Sequence, residues 1–141
     1  MKTHITHVIL LFMDKPIIIA SGPVIIENDK VLLNKHGDDG MWKFVGGKVE
    51  AFDISLEEVA KREVMEEMGI EVDIIRPLKP MMIDLPDKIV ILIHYLATRR
   101  GEIKPGEDIL KWDWFDIHNL PEDSAPNIKP VIEEYLNSKS N

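Results

Sequence analysis

The segment GGKVEAFDISLEEVAKREVMEEMGI, residues 46–70, runs from a glycine-rich loop into a stretch with helical periodicity. Ser55 is a favourable N-cap, acidic residues follow it in the first turn, and Gly69 stands where a helix would end. These signals predict a helix over residues 55–68. The helix would carry a crowded acidic cluster, because three glutamates fall within five positions near its C-terminus.

The apolar stripe that begins at Leu56 turns acidic halfway along this helix, at about 100° per residue. Carboxylates beside a buried face are costly unless they are paired or bind a metal. Ion pairs with lysine and arginine one turn away would make them an ordinary solvated surface. That alternative leaves the upstream glycines unexplained, whereas glycines let backbone carbonyls approach a divalent cation such as Mg²⁺ or Mn²⁺. The three carboxylates belong to Glu63, Glu66 and Glu67.

The whole-chain composition is that of an ordinary globular domain. The 141 residues are 45% apolar and 30% charged, which predicts one domain over residues 1–141. The absence of cysteine excludes disulfides and thiolate metal sites and favours a cytoplasmic location. A net charge of −8 argues against binding to nucleic-acid polymers. No membrane span is expected, because the apolar run 8–20 reads as two strands joined by a turn at residues 14–16.

The remaining periodicities predict a mixed β-sheet sandwiched between helices, an α/β (α+β) fold. A hairpin is predicted around the polar turn at residues 27–30, with further strands at 70–78, 88–99 and 109–117. The strand at 88–99 is apolar nearly throughout, as expected for a central strand covered on both faces. The amphipathic tail over residues 127–139 predicts a second helix.

Residues 47–70 resemble the Nudix box. That motif is a glycine, five residues, a glutamate, seven residues, and then Arg-Glu-apolar-x-Glu-Glu-x-Gly-apolar. The segments GMWKFVGGKVE and WFDIHNLPE are similar to the family's lead-in and to its later Trp-apolar-x-x-x-x-Leu-Pro segment. The matching box positions are Gly47, Arg62, Glu63, Val64, Glu66, Glu67, Gly69 and Ile70.

The chain departs from the motif in two places. Val45 stands where the family has a proline, which would alter the stiffness of the loop. The spacing from Gly47 to Arg62 is one residue longer than in the motif, and no glutamate stands at its first acidic position. Asp53 is the best substitute there. In the family this acid orients the arginine and caps the loop, and the resemblance implies the same role for Asp53.

The resemblance implies catalytic roles for the box residues. Glu63, Glu66 and Glu67 would hold Mg²⁺ (or Mn²⁺), assisted by the carbonyl of Gly46, and Arg62 would orient the glutamates. Family members hydrolyse a small nucleotide in which a nucleoside diphosphate is linked to another group, and a metal-bound water supplies hydroxide. The active protein would therefore need a divalent cation.

A further acid completes the site or acts as the base in many family members, from a loop before the late tryptophan strand. The candidates here are Glu107 and Asp108, with Glu102 behind them. Substrate contacts have separate candidates. Lys35 and Lys48 could bind phosphate, and Trp42 and Phe44 would either stack on a base or pack beneath the loop.

Four other side chains have weaker signals. His94 lies within a buried strand pattern and is interpreted as a core histidine with satisfied hydrogen bonds. His36 borders the glycine-rich loop and is a candidate for the site. Met65 and Met68 are expected to fill gaps in the core.

Two features point to different substrates within the family. ADP-ribose hydrolases carry a proline sixteen residues beyond the box, where Pro86 stands, and this favours ADP-ribose or a similar nucleotide sugar. The tail resembles the MutT-like branch, (deoxy)nucleoside triphosphate pyrophosphohydrolases in which an asparagine reads the base, and Asn127 lies one residue from that place. A catalytically inactive nucleotide-binding module is a third alternative, against which the intact glutamates count. The resemblance also leaves open a homodimer.

Overall fold

Seven strands and two helices make up residues 15–139, the part of the chain described by this computed structural model. The strands are β1 (Ile17–Glu27), β2 (Lys30–Lys35), β3 (Gly47–Lys48), β4 (Glu71–Pro77), β5 (Met81–Asp84), β6 (Ile89–Arg100) and β7 (Lys111–Asp116). The helices are α1 (Leu56–Met68) and α2 (Ile128–Lys139). Each of the five bounded predictions of strands and helices from residue 55 onward corresponds to one of these elements, whereas the strand predicted before residue 14 lies outside the described residues.

The sheet is mixed, as predicted. Its strand order is β4-β6-β1-β2-β7, with β3 paired to β1 and β5 paired to β6. β1 and β6 run parallel over nine residue pairs, from Ile17↔Ile89 to Ile25↔Ala97, and the other pairings are antiparallel. The parallel pair needs a long crossover, which the segment from β2 to β5 supplies, and this segment contains the glycine-rich loop and α1.

The hairpin between β1 and β2 closes through a two-residue turn. Glu27 pairs with Lys30, and Asn28 and Asp29 have φ values of 51° and 60°. Two consecutive left-handed residues match a type I′ turn, whose twist fits the twist of antiparallel strands. The hairpin predicted from the sequence is therefore confirmed.

Two hydrophobic clusters lie on opposite faces of the sheet, because neighbouring residues of a strand point to opposite sides. Val24 packs with Ile128, Val131 and Ile132 of α2. Its neighbour Ile25 belongs to the cluster that contains Val64 and Met68 of α1. The sheet is thus sandwiched between the two helices, as expected.

Helix α1 begins and ends as its sequence predicts. The Ser55 hydroxyl accepts a hydrogen bond from the Glu58 N–H at 3.2 Å, and Gly69 at φ 65° donates its N–H to the Met65 carbonyl. Met68 is fully buried. The prediction that Met65 also fills the core is wrong, because Met65 is 44% exposed.

Strand β6 is central, but it is not covered on both faces along its whole length by the residues described. Ile89–Ile93 are only half-buried, whereas His94 and Ala97 are buried. One reason is a cavity that lies over this half of the strand. Within residues 15–139, neither helix combines the length and the hydropathy that crossing a membrane requires.

Candidate active site

The glycine-rich loop rests directly on the backbone of β1. A Cβ at Gly22 would lie 1.8 Å from the Val45 carbonyl oxygen, and a Cβ at Gly46 would lie 2.6 Å from the Ser21 carbonyl oxygen. Gly46 also has φ +156°, a conformation that residues with side chains rarely adopt. Val45 is 1% exposed and packs in the core cluster beneath α1. These contacts fix the loop against the helix that follows it.

Glu67 points inward from α1 toward this loop. Its Oε2 accepts hydrogen bonds from the Gly46 N–H at 3.2 Å and from Asn34 Nδ2 at 3.5 Å. Burial raises the pKa of Glu67 to about 8, more than these two donors lower it. Asn34 is fully buried, and its Oδ1 has no hydrogen-bond partner among the residues described. This part of the site is therefore short of positive charge and of donors.

Glu63 packs against the opening glycine of the box. A Cβ at Gly47 would lie 2.4 Å from the Glu63 carboxyl carbon and 2.5 Å from each carboxylate oxygen. The Glu63 side chain is only 13% exposed. Burial raises the pKa of this carboxyl even though Arg62 lies beside it. Glycine at position 47 thus leaves the space that the Glu63 carboxylate occupies.

Arg62 connects the loop to two of the glutamates. Its Nη1 donates to Glu63 Oε1 at 3.0 Å and to Glu66 Oε1 at 3.4 Å. Its other nitrogens bond the Asp53 carboxylate, and Nη2 also donates to the Lys48 carbonyl at 3.2 Å. Asp53 Oδ2 in turn accepts from the Glu50 N–H at 2.6 Å. The substitution of Asp53 for the missing glutamate, orienting the arginine and capping the loop, is confirmed.

The Asp53–Arg62 pair is electrostatically matched. The hydrogen bonds from Arg62 hold the pKa of Asp53 below its ordinary value, and the same bonds raise the pKa of Arg62. Arg62 also separates Glu63 from Glu66, so it already relieves part of the repulsion within the acidic cluster. From the sequence, a divalent cation was expected to relieve this repulsion, and the structure shows that Arg62 shares that role.

The acidic residues of the box have oxygen atoms that are suitable ligands for a hard divalent cation. They offer carboxylate oxygens, and burial raises the pKa of two of these groups, Glu63 and Glu67; the unpartnered Asn34 oxygen belongs to the side chain that bonds Glu67. In the described chain, no three acidic or histidine side chains are already gathered as a coordination shell. Glu63 and Glu66 are turned onto Arg62, and Glu66 is 57% exposed. Both Glu66 oxygens lie near Arg62 Nη1, whereas only Oε1 of Glu63 does, so cation binding would draw Glu66 away from the arginine and need not break the Glu63 bond.

The loop with the other candidate acids is attached to the C-terminus of α1. Lys104 N–H donates to the Met68 carbonyl at 2.7 Å, and Gly106 N–H donates to the Glu67 carbonyl at 2.8 Å. Glu107 and Asp108 follow as exposed side chains near the box. Glu102 instead faces Arg99, whose pKa its charge helps to raise.

A cavity of about 330 Å³, named here the active-site cavity, adjoins the box. Its wall over the sheet is formed by apolar side chains of β1, β5 and β6. Gly46, Gly47 and Lys48 line it from the loop, together with His36. Phe44, His94 and Asn127 line it as well. A larger groove of about 730 Å³ between residues 117–126 and α2 contains none of the box residues and is not the site.

The structure separates the predicted substrate contacts into two groups. Lys48 and Phe44 line the active-site cavity. Lys35 instead forms an ion pair with Asp123 at 2.9 Å and lies 5.0 Å above the Trp42 ring. Trp42 packs edge-on against Phe115, with ring centroids 4.6 Å apart, which matches the packing alternative for this residue. Neither Lys35 nor Trp42 lines the cavity.

His94 is a satisfied core histidine, as interpreted from the sequence. It is 3% exposed, and its two ring nitrogens lie 3.2 Å from the Gly22 carbonyl oxygen and 3.2 Å from Asn127 Nδ2. Burial lowers the pKa of His94 to about 4. Sequence reasoning did not identify Asn34, although an asparagine inside the apolar run VLLNK is the kind of buried polar residue that needs an explanation.

Comparison with known proteins agrees with this geometry. A family model for the NUDIX domain matches residues 18–135. The chain is 28% identical over 132 residues to the ADP-ribose pyrophosphatase of Methanocaldococcus jannaschii, which spans 86% of this chain and 75% of that protein. It is 29% identical over 103 residues to the oxidized purine nucleoside triphosphate hydrolase of Danio rerio, across 70% of this chain and 65% of that protein.

Solved structures show the same fold. The crystal structure of the MutT protein from Methanosarcina mazei matches with a TM-score of 0.81 at 24% identity, covering 92% of this chain and 99% of that chain. The domain match extends over most of the chain and includes the whole box with its arginine and three glutamates. The chain therefore belongs to the Nudix family of pyrophosphohydrolases.

Proposed function

We propose that this Nudix hydrolase cleaves the diphosphate of a nucleoside diphosphate linked to another group, with ADP-ribose or a similar nucleotide sugar as the substrate. The observation that carries the proposal is that Gly47, the opening glycine of the box, lines the active-site cavity together with its neighbour Gly46. A diphosphate beside these glycines would lie next to the acidic cluster. The apolar wall of the cavity would then take the nucleoside part.

We also propose that Glu63, Glu66 and Glu67, with the Gly46 carbonyl, hold Mg²⁺ or Mn²⁺. When bound, such an ion neutralises phosphate charge and lowers the pKa of a coordinated water. Residues of the chain position the glutamates and contact the substrate. Arg62, fixed by Asp53, keeps Glu63 and Glu66 beside the loop, and the Gly46 N–H orients Glu67. Lys48, on the cavity wall, would contact phosphate.

We propose that the general base is a carboxylate of the box or of the loop beside it. A base must reach the attacking water directly or through one further water. The box glutamates lie beside Gly46 and Gly47, where the diphosphate is proposed to bind. Glu107 and Asp108 are the other candidates, since the hydrogen bond from Gly106 to the Glu67 carbonyl holds their loop at the same end of α1.

The similarity to the archaeal ADP-ribose pyrophosphatase supports ADP-ribose, and so does Pro86, which lies between two cavity-lining residues, Leu85 and Lys88. A second candidate, hydrolysis of a (deoxy)nucleoside triphosphate, is favoured by Asn127, because this residue lines the same cavity. The similarity to the zebrafish triphosphate hydrolase supports it too. We further propose a cytoplasmic enzyme that does not act on nucleic-acid polymers, supported by the lack of cysteine and the charge of −8.

A substrate panel with Mg²⁺ or Mn²⁺ tests the proposal. We expect ADP-ribose and water to yield AMP and ribose 5-phosphate, and EDTA to stop the reaction. Glu67→Gln should lower turnover by about 100-fold or more. Glu57→Gln is the matched control, because Glu57 is exposed in the first turn of the same helix. Release of pyrophosphate from triphosphates would favour the second candidate, and no hydrolysis of either class would contradict both.

A further inference from the structure

Three lysines line the active-site cavity, and they differ in whether a carboxylate neutralises them. Lys43 donates to Asp39 Oδ2 and to the His36 carbonyl, both at 2.9 Å. Among the described residues that line the cavity, Asp39 is the one acid. The side chains of Lys48 and Lys88 make no hydrogen bond, ion pair or ring contact with the part of the chain that the structure describes. Two cations without a carboxylate partner there therefore border the cavity.

The strand pairing determines the side of the sheet on which Lys88 lies. Leu85 donates its N–H to the Lys88 carbonyl at 2.8 Å, which closes the hairpin between β5 and β6. Every second residue of a strand faces the same side of the sheet. Val90 and Leu92, two and four positions after Lys88, line the cavity, and so does Leu85 across the hairpin. The Lys88 side chain is therefore directed to the cavity side.

The acids closest to Lys88 in sequence do not neutralise it. Asp84 follows the cavity-lining Ile83, so it faces the other side of the sheet, where it forms an ion pair with Lys15. Asp87 is exposed in the hairpin turn. Lys88 itself is half-buried. Partial burial of an unpaired charge costs free energy, and an anionic ligand would offset that cost.

Lys48 and Lys88 lie at opposite ends of the apolar wall. Lys48 pairs with Ala20 of β1 and directly follows the opening glycine of the box, whereas Lys88 precedes Ile89, the partner of Ile17. The separation is three to four positions of β1, or about 10–13 Å along the sheet. This spacing leaves room for one nucleoside between the two lysines. The apolar side chains that line the cavity along this path belong to Ile18, Ala20, Val90 and Leu92.

We infer that Lys88 forms a second anion subsite, which binds a phosphate carried by the ribose of the nucleoside. The inference rests on the proposed function, which places the diphosphate beside the box glycines and the nucleoside on the apolar wall. The 5′ oxygen of that nucleoside is linked to the diphosphate, so a further phosphate is attached at the 2′ or the 3′ hydroxyl. An ammonium group binds phosphate as a compact point charge. Nucleoside diphosphate compounds with a 2′- or 3′-phosphate are then the preferred substrate class.

Calorimetric binding to the full chain at constant ionic strength tests the subsite without requiring hydrolysis. The probes are AMP, adenosine 2′,5′-bisphosphate and adenosine 3′,5′-bisphosphate. We expect one of the bisphosphates to bind at least about tenfold more tightly than AMP, the effect of one charge-assisted hydrogen bond. Lys88→Met keeps the length of the side chain and removes its charge, so this gain should disappear. Lys88→Arg keeps the charge and should retain the gain.

Lys79→Met is the matched control, because Lys79 is exposed, has no partner in the described chain and does not line the cavity. It should retain the gain. An equal loss in Lys79→Met and Lys88→Met would indicate a general effect of net charge and overturn the subsite.

The subsite would also be overturned by a gain that persists in folded Lys88→Met. Lys88→Gln is the second variant if Lys88→Met does not fold, and it should lose the gain as well. Equal binding of AMP and both bisphosphates to the unaltered protein, or no binding of any of them, would likewise overturn it. A preference for a bisphosphate without hydrolysis of ADP-ribose or of its 2′-phosphate would refute the proposed substrate and leave the subsite intact.

Discussion

Arg62 and Asp53 are joined by two parallel hydrogen bonds, from Nε to Oδ1 at 3.0 Å and from Nη2 to Oδ2 at 2.9 Å. Such a bidentate pair fixes the guanidinium plane as well as its position. The Asp53 side chain is 4% exposed, and it also accepts the Glu50 N–H. One aspartate therefore closes the extended loop and aims the arginine at Glu63 and Glu66.

Removal of this aspartate tests its role behind the acidic cluster. In Asp53→Ala, Arg62 loses its partner and the Glu50 N–H loses its acceptor, so Glu63 and Glu66 are no longer held in place. We expect Mn²⁺ affinity to fall by about 10- to 100-fold, the usual effect of losing a group that orients metal ligands. Electron paramagnetic resonance of bound Mn²⁺ measures it. Asp73→Ala is the control, because Asp73 forms an exposed ion pair with Arg100; equal losses in both variants would refute the role.

A methyl group at position 47 tests the packing of Glu63. In Gly47→Ala the new Cβ would occupy the place of the Glu63 carboxylate, which lies 2.4–2.5 Å from it. The side chain can move, so we expect hydrolysis to fall by about 10-fold or more while thermal unfolding changes little. Gly40→Ala is the opposite case. A Cβ at Gly40 would meet no atom within 4 Å, but the backbone of Gly40 has φ +70°, which strains a residue with a side chain. It should lose about 1 kcal/mol of stability and keep its activity. Normal activity of Gly47→Ala would show that Glu63 need not lie there.

The buried His94 predicts a pH dependence of stability. Its pKa is about 4 in the folded chain against an ordinary value of 6.5. Between these values the unfolded chain binds a proton that the folded chain does not, so the free energy of unfolding falls as the pH drops through this range. The contribution is fully present above pH 6.5 and amounts to about 3 kcal/mol. Urea titrations at several pH values should show this loss in the natural chain and not in His94→Gln; parallel curves would contradict it.

The hairpin turn offers a stabilising substitution. Asp29 has φ 60°, and its side chain makes no hydrogen bond or ion pair among the residues described. Glycine adopts this conformation without strain and is favoured at this place in a type I′ turn. We expect Asp29→Gly to raise the free energy of unfolding by about 0.5 kcal/mol and Asp29→Ala to lower it by about 1 kcal/mol. Calorimetric unfolding of both variants measures this, and the reverse order would be contrary to the turn assignment.

Local chemistry explains why much of the fold could be predicted from the sequence. Ser55 and Gly69 act on the helix within one turn of themselves, and the Asn28-Asp29 turn acts on the strands directly beside it. β5 was not foreseen, because four residues carry too little periodicity and its partner is β6. The parallel pairing of β1 with β6 was likewise beyond local signals, since it joins residues about seventy positions apart.

Some residues of the candidate site could likewise be predicted from local sequence, whereas others depend on contacts between distant parts of the chain. The motif predicted Arg62 and the three glutamates, and it allowed Asp53 to be identified despite the longer loop. The contact of His94 with Asn127 could not be predicted, because neither residue has a neighbour in sequence that reveals the other. Chemical type alone suggested a phosphate contact for Lys35 and left Trp42 open between stacking and packing, and the fold turns them toward Asp123 and Phe115.

The acidic cluster of α1 is proposed to hold a divalent cation. Anomalous diffraction from crystals grown with Mn²⁺ tests it most directly. We expect Mn²⁺ bound by the carboxylates of Glu63, Glu66 and Glu67, with Glu66 turned away from Arg62, and no such peak in Glu67→Gln. Glutamates that stay hydrogen-bonded to Arg62 and Gly46, with no Mn²⁺ beside them at saturating concentration, would contradict it.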